Sequence, residues 1–273
     1  MKLVKHVIEK MRKNARKKYK LSRKDTVIDG VTLKTLYRIV AIKSFGSVKK
    51  GDRGGYVRSY SNLSQEGDAW VFRGSNVTEN AIVSGNAIVD RYSHISGNAH
   101  ISGNARVEFS IVSGNSRVDG NAVVSENSRV DGNAHISRNA RVEFSIVTGN
   151  AYICGNAHVD FGIVAENARV DGDAIVSGNA RVDGNAHISG NAQILHHEDY
   201  IVFKNWWSSK RHFTWTRKDN MWKVGCFHGT GDELIQKAYK DSERSGREYE
   251  RVVRYVESII KDYEQVESKN QRS

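Results

Sequence analysis

Six residues spaced 17 or 18 apart, His100, Arg117, His135, Tyr152, Arg169 and His187, are of the types that bind anions and sugars or carry protons. Lined up on one element, they would form a column suited to an anionic or sugar ligand. The chain also supplies countercharges. Arg106, Arg117, Arg129, Arg141, Arg169 and Arg181 are each followed two residues later by Glu108, Asp119, Asp131, Glu143, Asp171 and Asp183. On a strand, i and i+2 share a face, so this surface also reads as a solvated wall that neutralises itself and is a poor trap for phosphate. Asp90, Glu108, Glu143 and Asp160 form a partial column suited to cations, but Arg106, Arg141 and His158 stand beside three of them and favour salt pairing. Cys226 with His228, and the run His196-His197-Glu198-Asp199, lack metal-ligand spacing. No catalytic residue, metal or cofactor is expected.

What positions these residues is a repeat. From Val71 to Ile194, twenty-two β-branched anchors recur every six residues, with a small residue two before each anchor and usually Gly-Asn before that. Such a unit makes a short strand and a corner, and it buries its apolar side only by stacking on neighbours. Gly and Asn suit the corners because they tolerate positive φ. The pattern resembles the hexapeptide repeat of left-handed parallel β-helices, in which three units close one coil. The expected fold is therefore mainly β, with about seven coils over 71–194.

Three steps are five residues long, at V-E-F-S-I-V (107–112 and 142–147) and V-D-F-G-I-V (159–164). Each follows an anchor whose ordinal is a multiple of three, so three units per coil would bring the shortened corners together. Phe109, Phe144 and Phe161 replace the corner Asn there, with Tyr92 in the equivalent place one coil earlier. A column of rings along one edge is expected. Ile111, Ile146 and Ile163 flank it, an exposed branched patch read either as an oligomer face or as a seat for the C-terminal segment.

Residues 1–30 form a basic arm. Leu3, Val7, Met11 and Ala15 recur at helical spacing among Lys10, Arg12, Lys13, Arg16, Lys17 and Lys18. This reads as a basic helix able to neutralise nucleic-acid phosphates, or as a solvated tail. Over 31–70 an N-terminal β cap is expected, a hairpin with Gly51, Gly54 and Gly55 in tight turns, covering strand edges that would otherwise be open. The ordered run R-I-V-A-I, V-K-K-G, G-G-Y-V and N-L-S-Q-E-G-D-A-W-V, followed by hexads, resembles the YdcK-type hexapeptide-repeat proteins and their phage-borne relatives over residues 34–194. That family's name implies acyl transfer; what the resemblance carries is the fold and the cap. Proteins of this fold are commonly trimers packed along the prism.

Residues 195–273 lose the period and read as a small α+β domain, with two helices around a break at Ser245-Gly246. Trp206, Trp207, Trp215 and Trp222 lie there among Lys204, Lys210, Arg211 and Arg217. They read as a core or as stacking platforms for bases.

Net charge is +11, carried by the N-terminus: residues 1–74 hold 19 Lys/Arg against 6 acids, whereas 75–194 hold 8 against 12. No stretch is long and apolar enough to span a bilayer. Cys154 and Cys226 have no paired spacing, which points to free thiols in a reducing compartment, and a cytoplasmic location is expected. No step between anchors exceeds six residues, so no loop is thrown out to enclose an acyl carrier. His100 and His135 are two coils apart, too far for one shared ion. The sequence therefore favours a non-enzymatic scaffold with a protein partner, with a hexapeptide acetyltransferase and a nucleic-acid binder as the rival readings.

Overall fold

The computed structural model describes residues 17–270, with side chains to Val266. Strands of two or three residues wind into a parallel β-solenoid of about eight turns. Its strands fall into three sheets, and each pairs with the third strand before and the third after it; Arg106–Glu108, for example, lies between Ile88–Asp90 and Val123–Ser125. Every anchor from Val71 to Ile194 is fully buried, and the small residues two before them line the same narrow core. One β-branched side chain opposite an Ala or Ser fills the cross-section of each unit, which is why the units pack only as a stack.

The rod is longer than its hexads. Val57 pairs in parallel with Val77, and Leu63 bridges to Val83; both are fully buried anchors of an additional first turn. Neither follows a Gly-Asn-Ala corner, so the turn is silent in the repeat.

Two kinds of corner hold the sheets together. At two edges the chain turns through a left-handed residue, usually Gly, followed by Asn. Gly103 (φ +67°) shows why: a Cβ there would lie 2.9 Å from the backbone N and O of Gly120. The asparagines form two ladders of amide-to-amide bonds, one from Asn80 through Asn98, Asn115, Asn133 and Asn150 to Asn167, the other from Asn86 through Asn104, Asn121 and Asn139 to Asn156, which donates in turn to the Asp173 carboxylate. Such ladders satisfy polar side chains along a stack.

The third edge carries all three shortened corners. Phe109, Phe144 and Phe161 take the left-handed seat there (φ +46°, +47° and +52°). In a full corner the small residue's amide turns back three residues, as Ala99 N does to Ser96 O at 3.3 Å. With one residue missing that bond is not made. Instead the amides of Ser110, Ser145 and Gly162 donate to the buried hydroxyls of Ser93, Ser128 and Ser145 one turn earlier, at 3.3, 3.1 and 3.0 Å. Serine replaces alanine under each shortened corner because a buried amide requires an acceptor. The rings do not form one unbroken column. Phe144 and Phe161 stack at 4.5 Å, Tyr92 and Phe109 meet at 6.2 Å, and Asn127, whose amide bonds Phe109 O, separates the pairs.

The N-terminal region corrects the helical expectation where it can be seen. Tyr19–Ile28 is a strand, paired antiparallel with Thr35–Ala41, which pairs in turn with Arg53–Val57, so the cap extends one of the rod's sheets. The helical spacing ends at Ala15, and beyond it a neighbouring strand satisfies the backbone. Lys10, Arg12, Lys13 and Arg16 lie outside the described residues. Gly51 occupies a turn (φ +97°), but Gly54 and Gly55 lie inside a strand, where a Cβ would meet Val71 O at 2.5 Å and Ser75 O at 2.2 Å.

Lys18 closes the first turn. It is 1% exposed, and its ammonium donates to the carbonyls of Gly67 at 3.0 Å and Ala69 at 2.8 Å, with Glu66 O at 3.4 Å. One turn on, the equivalent carbonyls of Gly85 and Ala87 accept amides from Ala69 and Trp70. The ammonium thus replaces donors that a preceding turn would supply. Burial lowers its pKa to about 8, against the opposing pull of Asp68.

The C-terminal unit is a four-stranded antiparallel sheet (Tyr200–Lys204, His212–Thr216, Met221–Val224, Phe227–Gly229) with helices Gly231–Asp241 and Glu243–Asn270. Its core is Phe213, Trp215, Trp222, Leu234, Ile235, Val253 and Val256. It caps the last turn, with Thr214 Oγ1 accepting from His187 N at 2.9 Å and Tyr200 OH donating to Arg181 O at 3.1 Å. The helices part at Ser242 and not at Ser245-Gly246. Gly246 lies inside the second helix because Tyr239 packs there, 2.2 Å from where a Cβ would stand. No helix of the described residues is long and apolar enough to cross a membrane.

Candidate functional site

Parallel pairing carries His100, Arg117, His135, Tyr152, Arg169 and His187 into one row across the seven-stranded sheet, with adjacent members directly opposite each other. The row is engaged with its own wall. His135 Nε2 lies 3.0 Å from Asp119, His187 Nε2 lies 2.9 Å from Asp171, and His100 Nε2 bonds Ser84 Oγ at 3.1 Å. The Tyr152 ring meets His135 edge-on at 5.0 Å and carries the Arg169 guanidinium at 4.9 Å. Burial pushes the Asp171 carboxyl up, but hydrogen bonds from His187 and Arg169 outweigh it and hold the pKa at about 2. Burial and the Arg117 charge lower the pKa of His100.

All six arginines close on the carboxylate two residues on: Arg106–Glu108 at 3.2 Å, Arg117–Asp119 at 3.8 Å, Arg129–Asp131 at 2.9 Å, Arg141–Glu143 at 3.9 Å, Arg169–Asp171 at 2.7 Å and Arg181–Asp183 at 2.5 Å. The acidic column is likewise occupied at Glu108 and Glu143. Glu108 also receives Arg91 at 3.2 Å and Glu143 receives His158 at 3.3 Å, while Ser125 faces Glu143 and interrupts the row. Among the described residues no group of three or more His, Cys, Asp or Glu is placed to hold a metal ion.

The branched patch is divided. On its sheet the order is Ile111, Arg129, Ile146, Ile163, so only the last two are neighbours. Ile146 is 43% exposed and lies two residues from Phe144, whose ring stacks on the 51%-exposed Phe161. The C-terminal unit docks at the end of the rod and leaves Ile111, Ile146 and this edge open.

Of the tryptophans, Trp215 and Trp222 are buried in the C-terminal core, Trp207 packs on it, and Trp206 is exposed. Glu243 pairs with Arg247 as the helical spacing implies, whereas Glu250 accepts from Tyr239 OH and Arg254 turns to Glu257 and Asp232. Lys18, counted among the phosphate-binding lysines, is unavailable, and Lys17 rests over the Tyr60 ring.

One cluster had no sequence signal. Asp25 accepts from Arg38 Nε at 3.0 Å, from Tyr56 OH at 2.9 Å and from Arg53, and these bonds hold its carboxyl at about 2. The four residues span 32 positions and meet only because the cap strands fold side by side.

Neither a scan against protein-family models nor a search of the curated proteins returns a match for this chain.

Proposed function

We propose that the chain is a non-enzymatic scaffold, a left-handed β-helix of three hexapeptide units per coil akin to the YdcK-type and phage-borne proteins, acting in the cytoplasm by binding a protein of the host. The supporting observation is the contrast between its walls and its third edge. The wall residues able to act as acids, bases or anion ligands are largely engaged by neighbours in the rod, whereas Phe144, Ile146 and Phe161 present apolar surface that nothing among the described residues covers. Exposed apolar surface of this kind marks an interface. In this reading the edge joins three copies and the cap and C-terminal unit face outward to partners.

Light scattering on the full chain tests it: a trimer is expected, and Ile146→Lys should yield folded monomers with the wild-type circular-dichroism spectrum and a lower melting temperature, because the stabilisation by association is lost. A monomeric wild type, or a melting temperature raised by acetyl-CoA, would overturn it in favour of a lone rod or an acyltransferase.

A further inference from the structure

A groove crosses the outer face of the cap, between the start of Tyr19–Ile28 and the turn at Gly51. It consists of two adjoining hollows that share Lys24, Asp25, Gly51 and Arg53. Lys20, Arg23, Lys24, Arg38, Arg53 and Arg73 line it, against Asp25 and Asp52. The charge pattern differs from that of the rod. Asp25 is shared by Arg38 and Arg53, and Asp52 turns its carboxylate back to the Lys49 amide at 2.7 Å. The side chains of Lys20, Lys24 and Arg73 are exposed and make no ion pair or hydrogen bond among the described residues. Gathering like charges without counterions opposes folding, so packing does not account for the arrangement.

The floor is fixed and the rim is free. Arg38 is tied down by Asp25, by Gly54 O at 2.7 Å and by Tyr56 OH at 2.6 Å. Arg53 holds Asp25 through Nη2 alone and is 64% exposed, so its remaining donors face the groove in a set orientation. A positioned guanidinium with lysines around it matches phosphate chemistry. Two joined hollows suit successive phosphates better than a single anion. The Tyr56 ring is covered by the Arg38 guanidinium at 4.0 Å, which leaves no aromatic face there for an unstacked base.

We propose that the cap groove binds the phosphodiester backbone of duplex nucleic acid, without reading base sequence, through Arg53, Lys20, Lys24 and Arg73. The interaction is separate from the aromatic edge and does not depend on the oligomeric state.

Anisotropy titration of a short labelled duplex DNA with the full chain, at salt from about 50 to 200 mM, tests the proposal. The wild type should bind, with affinity falling steeply as salt rises. Lys24→Glu with Arg73→Glu should weaken binding at least about tenfold and flatten the log–log salt slope by about two, because each phosphate contact contributes about 0.9. Arg129→Glu with Arg169→Glu makes the same charge change on the rod wall and should leave the slope unaltered. If the groove variant melts early, Lys24→Gln with Arg73→Gln should flatten the slope likewise. The proposal is overturned by no wild-type binding at the lowest salt, by an unchanged slope in the groove variants, by an equal loss in the wall variant, or by binding to anionic vesicles but not to the duplex.

Discussion

The asparagine edges and the aromatic edge of the rod solve the same problem by different means. At the asparagine edges an extra residue lets the backbone turn back on itself, glycine fits where the next turn presses in, and side-chain amides bond along the stack. At the aromatic edge that residue is missing in three turns, so the hydrogen bond passes to a serine below and a ring occupies the left-handed seat. The first solution is limited by space and the second by hydrogen bonding. A repeat therefore tolerates a shortened step only where the turn beneath supplies an acceptor.

Replacing Gly103 by Phe should do the most damage, because a Cβ at 2.9 Å from backbone atoms of the next turn has no room; a loss of at least about 3 kcal/mol is expected in urea unfolding. A stability near wild type would mean that the two edges are interchangeable. Ser145→Ala comes next. It leaves the Gly162 amide buried without an acceptor and should cost about 2 kcal/mol, with hydrogen exchange at Gly162 accelerated. Alanine there without loss would sink the account of the shortened corner. Phe144→Gly should cost only about 1 kcal/mol, since the lost stacking on Phe161 is partly offset by a glycine in a left-handed seat.

The smallest effect belongs to the walls. Asp171→Asn should cost less than about 1 kcal/mol at neutral pH, as for other partly exposed ion pairs. Its pKa in the fold, about 2, lies below the ordinary 3.8, so its contribution is complete above pH 3.8 and disappears as pH falls through 2. The melting temperatures of variant and wild type should therefore converge between pH 4 and pH 2; a constant gap would assign the effect to packing.

The hexads made the stack legible, and the i, i+2 spacing of arginine and carboxylate made the self-neutralised wall legible, because both follow from strand geometry alone. Arg129 between Ile111 and Ile146 was equally readable at 17- and 18-residue spacing, and it narrows the branched patch to Ile146 and Ile163. The serines were harder to read, since Ser128 and Ser145 look like ordinary small residues; the clue is that each lies 17 residues before the residue that closes a shortened corner. The additional first turn and the Asp25 cluster left no local mark. They depend on contacts between segments twenty or more residues apart, such as Tyr56 beside Asn76 and Asp25 beside Arg53. Lys18 reads as part of the arm because charge predicts exposure, and only three waiting carbonyls make its burial favourable.

That lysine also marks where the rod ends. With those acceptors of the opening rung already taken, a further rung stacked at the front would first have to displace the ammonium.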